Sequence, residues 1–306
     1  MGLVYFPRPS PPDVNYPTPP PGRVGCGRRA GDFYSEDVVP DRILKELERT
    51  TPRFHSGLAA GLHDPTVTFV CPTYGTAALK PHLLNEAVYW YLRQTYPHRE
   101  LLILNDAPGQ TLVCKDILAA QGVRIVNWPY RIRTLGEKYN LMVLLAAGSV
   151  IIPQEDDDVS LPWRAEQAVS MLSDYPYWTP GLWWYYEFGS GAMRADGNGY
   201  GHNCSAYRRA EFYNRYEKTT GDQDARIHRW AEANLTVNPT RLTDPKDISY
   251  VYRWGVSGRH LSGYGAGKMQ AAYDAMTAGP DGEYEVKAEA GVDWVNAAAG
   301  ACQWQK

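Results

Sequence analysis

The sequence predicts an α/β fold with a largely parallel central sheet. Between Thr66 and Pro153 short apolar runs alternate with amphipathic stretches of helical period, the signature of βαβ units. Several of these runs end in polar residues, as strands do when they deliver side chains to the carboxyl edge of a sheet. The last of them, Ser149-Val150-Ile151-Ile152-Pro153, runs through Gln154 into four consecutive acids, Glu155-Asp156-Asp157-Asp158.

Taken in order, residues 1 to about 35 are rich in Pro and Gly and read as an extended arm. Pro40 opens a short helix to about Glu48, with Ile43, Leu44 and Leu47 as a narrow apolar stripe. Val67 to Cys71 is a strand ending at Pro72-Thr73-Tyr74-Gly75, and a helix follows from Pro81 to about Gln94 with Leu84, Ala87, Val88 and Tyr91 on one face. Leu101 to Leu104 is a second strand, ending in Asn105-Asp106 and a Pro108-Gly109 turn. Val113, Ile117 and Ala120 are spaced as a second helix stopped by Gly122. Val123 to Val126 is the third strand. A helix from Gly136 to about Ala147 follows, with Tyr139, Met142, Val143 and Ala146 on one face and Gly148 as its stop.

Beyond the acid run, Pro162 to Leu172 reads as a helix, and Trp178 to Gly201 as an aromatic, glycine-rich ribbon bordering a site. Ser205 to Tyr213 and Asp222 to Ala233 are expected helices, and the tail after Gly267 is weakly patterned. The expected organisation is an arm with a short helix over 1–64, a single catalytic domain over 65–265, and an extension over 266–306.

A net charge of −3, with 44% hydrophobic and 21% charged residues, describes an ordinary globular chain and gives no global attraction to nucleic acid or an anionic membrane. The five cysteines are widely spaced with no CxxC pair, which argues against a zinc site or disulfide framework. With no signal-like start and no apolar stretch of membrane length, a soluble cytoplasmic protein is expected. Aromatic content is skewed to Tyr (22) and Trp (10) over Phe (6), residues that pair a flat apolar face with a polar handle.

Crowded carboxylates repel unless a cation sits among them, and a hard divalent ion takes oxygen ligands. The acid run is therefore a candidate cation site at a strand end. Its structural alternative is an acidic N-cap to the helix beyond Pro162.

From about Thr66 to His260 the chain resembles the family 2 glycosyltransferases, nucleotide-sugar enzymes with the Rossmann-like GT-A fold. Pro72-Thr73-Tyr74-Gly75 is similar to the family's first strand end, with Gly75 where Asn is common, and Gln94-Thr95-Tyr96-Pro97 to its first-helix ending. Asn105-Asp106 falls where the family carries an acid for the base or ribose. Gly136, Lys138 and Asn140 resemble the helix start beside the donor, Glu155-Asp156-Asp157 the DxD element, and Arg208-Arg209 with Phe212 the approach to the catalytic acid. Gly221-Asp222-Gln223-Asp224 departs from the usual Glu-Asp.

The resemblance implies an inverting transfer of sugar from a nucleoside diphosphate sugar, such as a UDP-sugar, with Mn2+ or Mg2+. Asp157 is the expected metal ligand, with Glu155 and Asp156 in donor support. His260 is a second expected ligand, a packing histidine being the alternative. Pro72, Thr73, Tyr74, Asp106, Arg133 and Lys138 are expected at the donor, and Asp222 or Asp224 as the base. Trp183, Trp184 and Tyr186 are candidates for stacking on the acceptor, which is a glycan, a protein hydroxyl or a hydroxylated DNA base. A non-catalytic sugar- or nucleotide-binding module and a nucleotidyltransferase are the competing readings.

Overall fold

The computed structural model describes residues 64–197, 201–255, 261 and 266–303. The expected arm and its short helix, and His260, lie outside the described residues. The described strands are β1 (Val67–Thr73), β2 (Arg99–Asn105), β3 (Gln110–Cys114), β4 (Val123–Asn127), β5 (Val150–Pro153), β6 (Val159–Ser160), β7 (Tyr177–Trp178), β8 (Trp183–Glu187), β9 (Met193–Asp196), β10 (Ala206–Arg208), β11 (Tyr250–Trp254) and β12 (Gly282–Val286).

The central sheet has the order β4-β2-β1-β5-β10-β7. Its first four strands are mutually parallel, and β10 and β7 close one edge antiparallel. The expected α/β class with a mostly parallel sheet is the one observed. Strands β1 and β5 are buried along their whole length, which explains why they read as unbroken apolar runs. One face packs a cluster built on Phe69, Val88, Leu101 and Ile152, and the other a cluster built on Val70, Leu102, Tyr139 and Met142.

Strand order reverses beside β1: β2 lies on one flank and β5 on the other. Ligands of open α/β sheets bind at such a switch point, outside the carboxyl ends of the strands. Here those ends carry Thr73-Tyr74 from β1, Asp106 just after β2, and the acid run just after β5.

A second sheet, β6-β11-β8-β9, stands beyond the acid run, and a parallel pair joins β12 to β3. Trp184, Val251 and Val159 of the second sheet bury against Trp294 and Ala298 of the helix Trp294–Gln303.

Three expectations about local structure are corrected. Val113 belongs to β3, and the helix after it is only Asp116–Ala120. Val113 pairs instead with Glu285 of β12, a contact remote in sequence, while Ile117 and Ala120 remain on the short helix. Ser205 to Arg208 is not helical: Ala206–Arg208 forms β10, paired antiparallel with β5, and only Arg209–Phe212 is helix. The weakly patterned tail is ordered as the helix Ala266–Ala275, β12 and the helix Trp294–Gln303.

Candidate active site

The helix Leu135–Leu145 organises the site. Thr134 caps it, its hydroxyl accepting from the Glu137 amide at 3.2 Å while donating to the Glu137 carboxylate at 3.0 Å. Gly136 is required because a Cβ there would lie 1.9 Å from the Glu217 carbonyl oxygen. The Gly136 amide donates to the Thr219 carbonyl at 3.1 Å and the Leu135 amide to the Thr220 hydroxyl at 3.1 Å. Asn140 exchanges two bonds with the Tyr216 backbone, at 2.7 and 3.0 Å. Gly136 and Asn140 thus tie the segment 216–220, which leads directly to Asp222, onto this helix.

Asp106 is fully buried. It accepts from Lys138 Nζ at 2.6 Å and the Ile132 amide at 2.9 Å, with Arg131 Nη1 at 3.6 Å. Lys138 also donates to the Thr73 carbonyl at 3.0 Å. Burial lowers the Lys138 pKa, opposed by the Asp106 carboxylate. Arg131 is sandwiched between the rings of Tyr74, at 3.2 Å, and Tyr273, at 3.8 Å. Tyr273, on the helix Ala266–Ala275, is buried and donates to the Ile132 carbonyl at 3.0 Å. The tail therefore lies over Asp106, Lys138 and Arg131. Thr73 Oγ1 and Arg131 Nη1 are buried there without a hydrogen-bond partner. Pro72 is buried in β1, and Arg133 is exposed with its carbonyl accepting from Gln270 at 3.0 Å.

The four acids divide by what holds them. Glu155 is partly buried and accepts from the Tyr139 hydroxyl; its pKa is pushed up to about 8, chiefly by burial, with Asp158 and Asp156 adding. Asp158 is buried, accepting from the Tyr250 hydroxyl and, at 2.7 Å, from the Arg253 amide. Its pKa is raised to about 6 by burial. Asp157 is pushed up by burial and then by Asp158, Asp156 and Glu155, while Arg253 pulls it down. The Arg253 guanidinium donates to the Asp157 carbonyl and pairs with Glu86. Glu86 in turn accepts from the Val292 amide at 3.0 Å and from Trp294 Nε1 at 2.9 Å, which couples the acid run to the tail.

Oxygen donors held at unfavourable charge density suit a hard cation. Among the described residues no cluster of three or more His, Cys, Asp or Glu is placed to chelate a metal alone. Magnesium-like ions are often held by one or two carboxylates, with substrate phosphate and water completing the shell. Asp156 and Asp157, both partly exposed just after β5, are carboxylates that could contribute to such a shell.

From Glu155 a run of aromatic contacts passes through Tyr139 to Tyr216 and His202. Tyr139 stacks on Tyr216 at 5.1 Å and meets His202 edge-on at 4.9 Å. His202 Nε2 bonds the Tyr216 hydroxyl at 2.6 Å, and the Asp224 charge bears on the imidazole. Asp222 sits at the N-cap of the helix Gln223–Asn234 with φ of 61°, without a side-chain capping bond; Asp224 is exposed, accepting from the Ala225 amide at 2.8 Å. An aspartate held at positive φ is uncommon, and such conformations cluster at functional sites.

Of the expected acceptor residues, Trp184 is buried at 1% exposure, and Tyr186 meets Trp294 edge-on at 4.8 Å. Both face the core, and only Trp183 of the three lies on the partly open face of β8. Sequence reasoning missed Tyr139, Tyr250, His202 and Glu86 as site-forming groups. Their one sequence signal is position: Tyr139 lies on the apolar face of a helix that starts beside a strand end.

The sequence matches no protein-family model and no curated protein. Solved structures similar to the chain include S. aureus TarS and a mannosyltransferase. S. aureus TarS 1-349 in complex with UDP-GlcNAc matches at 12% identity and a TM-score of 0.49, over 64% of this chain and 60% of that one. Its complex with UDP matches at 11% identity and a TM-score of 0.48, over 68% and 65%. The Pyrobaculum calidifontis mannosyltransferase PcManGT, in complex with GDP-Man and Mn2+, matches at 14% identity and a TM-score of 0.45, over 87% and 82%. The chain spans about 60% of the length of the first TarS structure it matches.

Proposed function

We propose that the chain is a glycosyltransferase moving a sugar from a nucleoside diphosphate sugar to an acceptor hydroxyl, with inversion at the anomeric carbon. The observation that carries this reading is the acid run at the switch point of the parallel sheet, with Thr73 and Asp106 at the neighbouring strand ends, Lys138 reaching both from the helix Leu135–Leu145, and the segment that leads to Asp222 bonded to that helix. In this reading Asp156 and Asp157 hold Mn2+ or Mg2+, which when bound neutralises charge on the departing diphosphate. Glu155, held by Tyr139, supports the donor, and Asp106 with Arg131 and Lys138 forms the nucleoside end, which the donor reaches when Tyr273 gives way. Asp222 accepts the proton of the attacking hydroxyl.

The test is a screen of nucleoside diphosphate sugars, with Mn2+ and pooled acceptors, reading released nucleoside diphosphate. Release by the wild type and its loss in a folded Asp157→Ala variant support the reading. Release of pyrophosphate would identify a nucleotidyltransferase instead, and donor binding without turnover under every condition a binding module.

A further inference from the structure

Side chains alternate across the second sheet, so Trp184 and Tyr186 turn inward while Tyr185 faces the other way. The ladder register sets Tyr252 of β11 and Arg194 of β9 beside Tyr185 on that outer face. The Tyr185 ring lies 6.0 Å from Tyr252 and 6.3 Å from Trp254, the latter stacked at 28°. The Arg194 guanidinium covers Tyr185 at 4.0 Å. Tyr185, Tyr252 and Trp254 are all partly exposed, and Arg194 is exposed. Two residues before Tyr252 on the same strand, and therefore on the same face, Tyr250 donates to Asp158. The aromatic surface thus begins where the acid run ends.

Its charge pattern selects the occupant. Arg194 is the one cation of this face among the described strand residues, and it pairs with Asp196 at 3.4 Å. Glu187, opposite Trp254 in the ladder, adds another acid, and the acid run lies beyond. A nucleic-acid strand needs cations along its phosphates, and the described strands of this face carry more carboxylates than cations. A neutral sugar needs flat apolar rings for its C–H faces and scattered polar atoms for its hydroxyls, which Tyr185, Tyr252, Trp254, Arg194 and Glu187 supply.

We infer that the Tyr185–Tyr252–Trp254 face is the acceptor-binding surface and that it takes a neutral oligosaccharide. The inference rests on the glycosyl-transfer reading for its role, while binding of the sugar is testable without it. Neutral oligosaccharides derived from glucan, mannan, galactan and N-acetylglucosamine polymers are titrated against intrinsic tryptophan fluorescence, with Trp254→Phe locating the signal. At least one class binds, with affinity that does not fall as salt is raised; Tyr185→Ala and Tyr252→Ala each weaken it about tenfold, and Tyr185→Phe restores it. With a turned-over donor, the alanine variants raise KM for the saccharide by a larger factor than KM for the donor.

The inference is overturned if no neutral saccharide binds, if the alanine variants bind like the wild type, or if a single-stranded oligonucleotide binds this face with a steep salt dependence. Absence of nucleoside diphosphate release from every donor would remove the glycosyl-transfer reading, and the fluorescence titration would still decide the saccharide site.

Discussion

Arg253→Met removes a guanidinium that is 1% exposed and paired with Glu86, itself buried at 5%. Removing one member of a buried pair costs about 3–5 kcal/mol, because the other charge is left uncompensated. Glu86 keeps its bonds from the Val292 amide and Trp294 Nε1, so the low end, about 3 kcal/mol, is expected. For a domain of this size that lowers Tm by roughly 6–12 °C. Glu86→Gln in the same background removes the orphaned charge while keeping an acceptor for Trp294, so the double variant regains part of the loss. Urea unfolding of the wild type, both single variants and the double variant gives the coupling energy directly. A cost below about 1 kcal/mol for Arg253→Met, or strict additivity in the cycle, would refute the clamp between acid run and tail.

Further outcomes follow from the same contacts. Asp222→Asn is expected to lower kcat by about 10²–10⁴ while donor affinity measured by calorimetry holds, and an unaltered kcat would remove Asp222 as the base. Tyr273→Ala exposes the Asp106–Lys138–Arg131 group and is expected to tighten binding of a nucleoside diphosphate measured by calorimetry; weaker binding would make Tyr273 part of the nucleoside site instead of its cover. His202 and His228 have pKa values lowered from 6.5, in both cases mainly by burial. In this range the unfolded chain binds more protons than the folded one, so their contribution is complete above about pH 6.5 and is lost as pH falls through the folded values. Glu155 and Asp158, with raised values, act in the opposite direction. The imidazole part is therefore read as the stability difference between wild type and His202→Gln, which should shrink between pH 7.5 and 5.5; a constant difference would contradict neutral burial of His202. Gly136→Ala is expected to destabilise, since its Cβ would meet the Glu217 carbonyl, and an unchanged Tm would show that the 216–220 segment is not held there.

The parallel core was legible because β1 and β5 are buried throughout, β2 is buried from Leu101 to Asn105, and their turns carry Gly and Pro in place. What escaped were elements defined by distant partners. Val113 pairs with Glu285 of β12, far along the chain, and Ala206–Arg208 becomes a strand only because β5 offers an edge. Local propensity contains neither contact. In the site, the acid run was evident from charge alone, yet the allocation of Glu155 and Asp158 to Tyr139 and Tyr250 depends on tertiary packing. Trp184 and Tyr186 looked like ligand-facing aromatics in a local reading, since only strand alternation against the helix Trp294–Gln303 reveals which side of β8 is buried.

Under the proposed function, a nucleoside diphosphate binds at the carboxyl edge of the sheet with a cation held by the acid run. Calorimetric titration of UDP and GDP into the wild type and Asp157→Ala, with and without Mn2+, tests it most directly. The expected result is binding by the wild type that requires Mn2+ and weakens at least about tenfold in the variant, with circular dichroism unchanged. Binding of equal strength without the ion, or unaffected by Asp157→Ala, would contradict it.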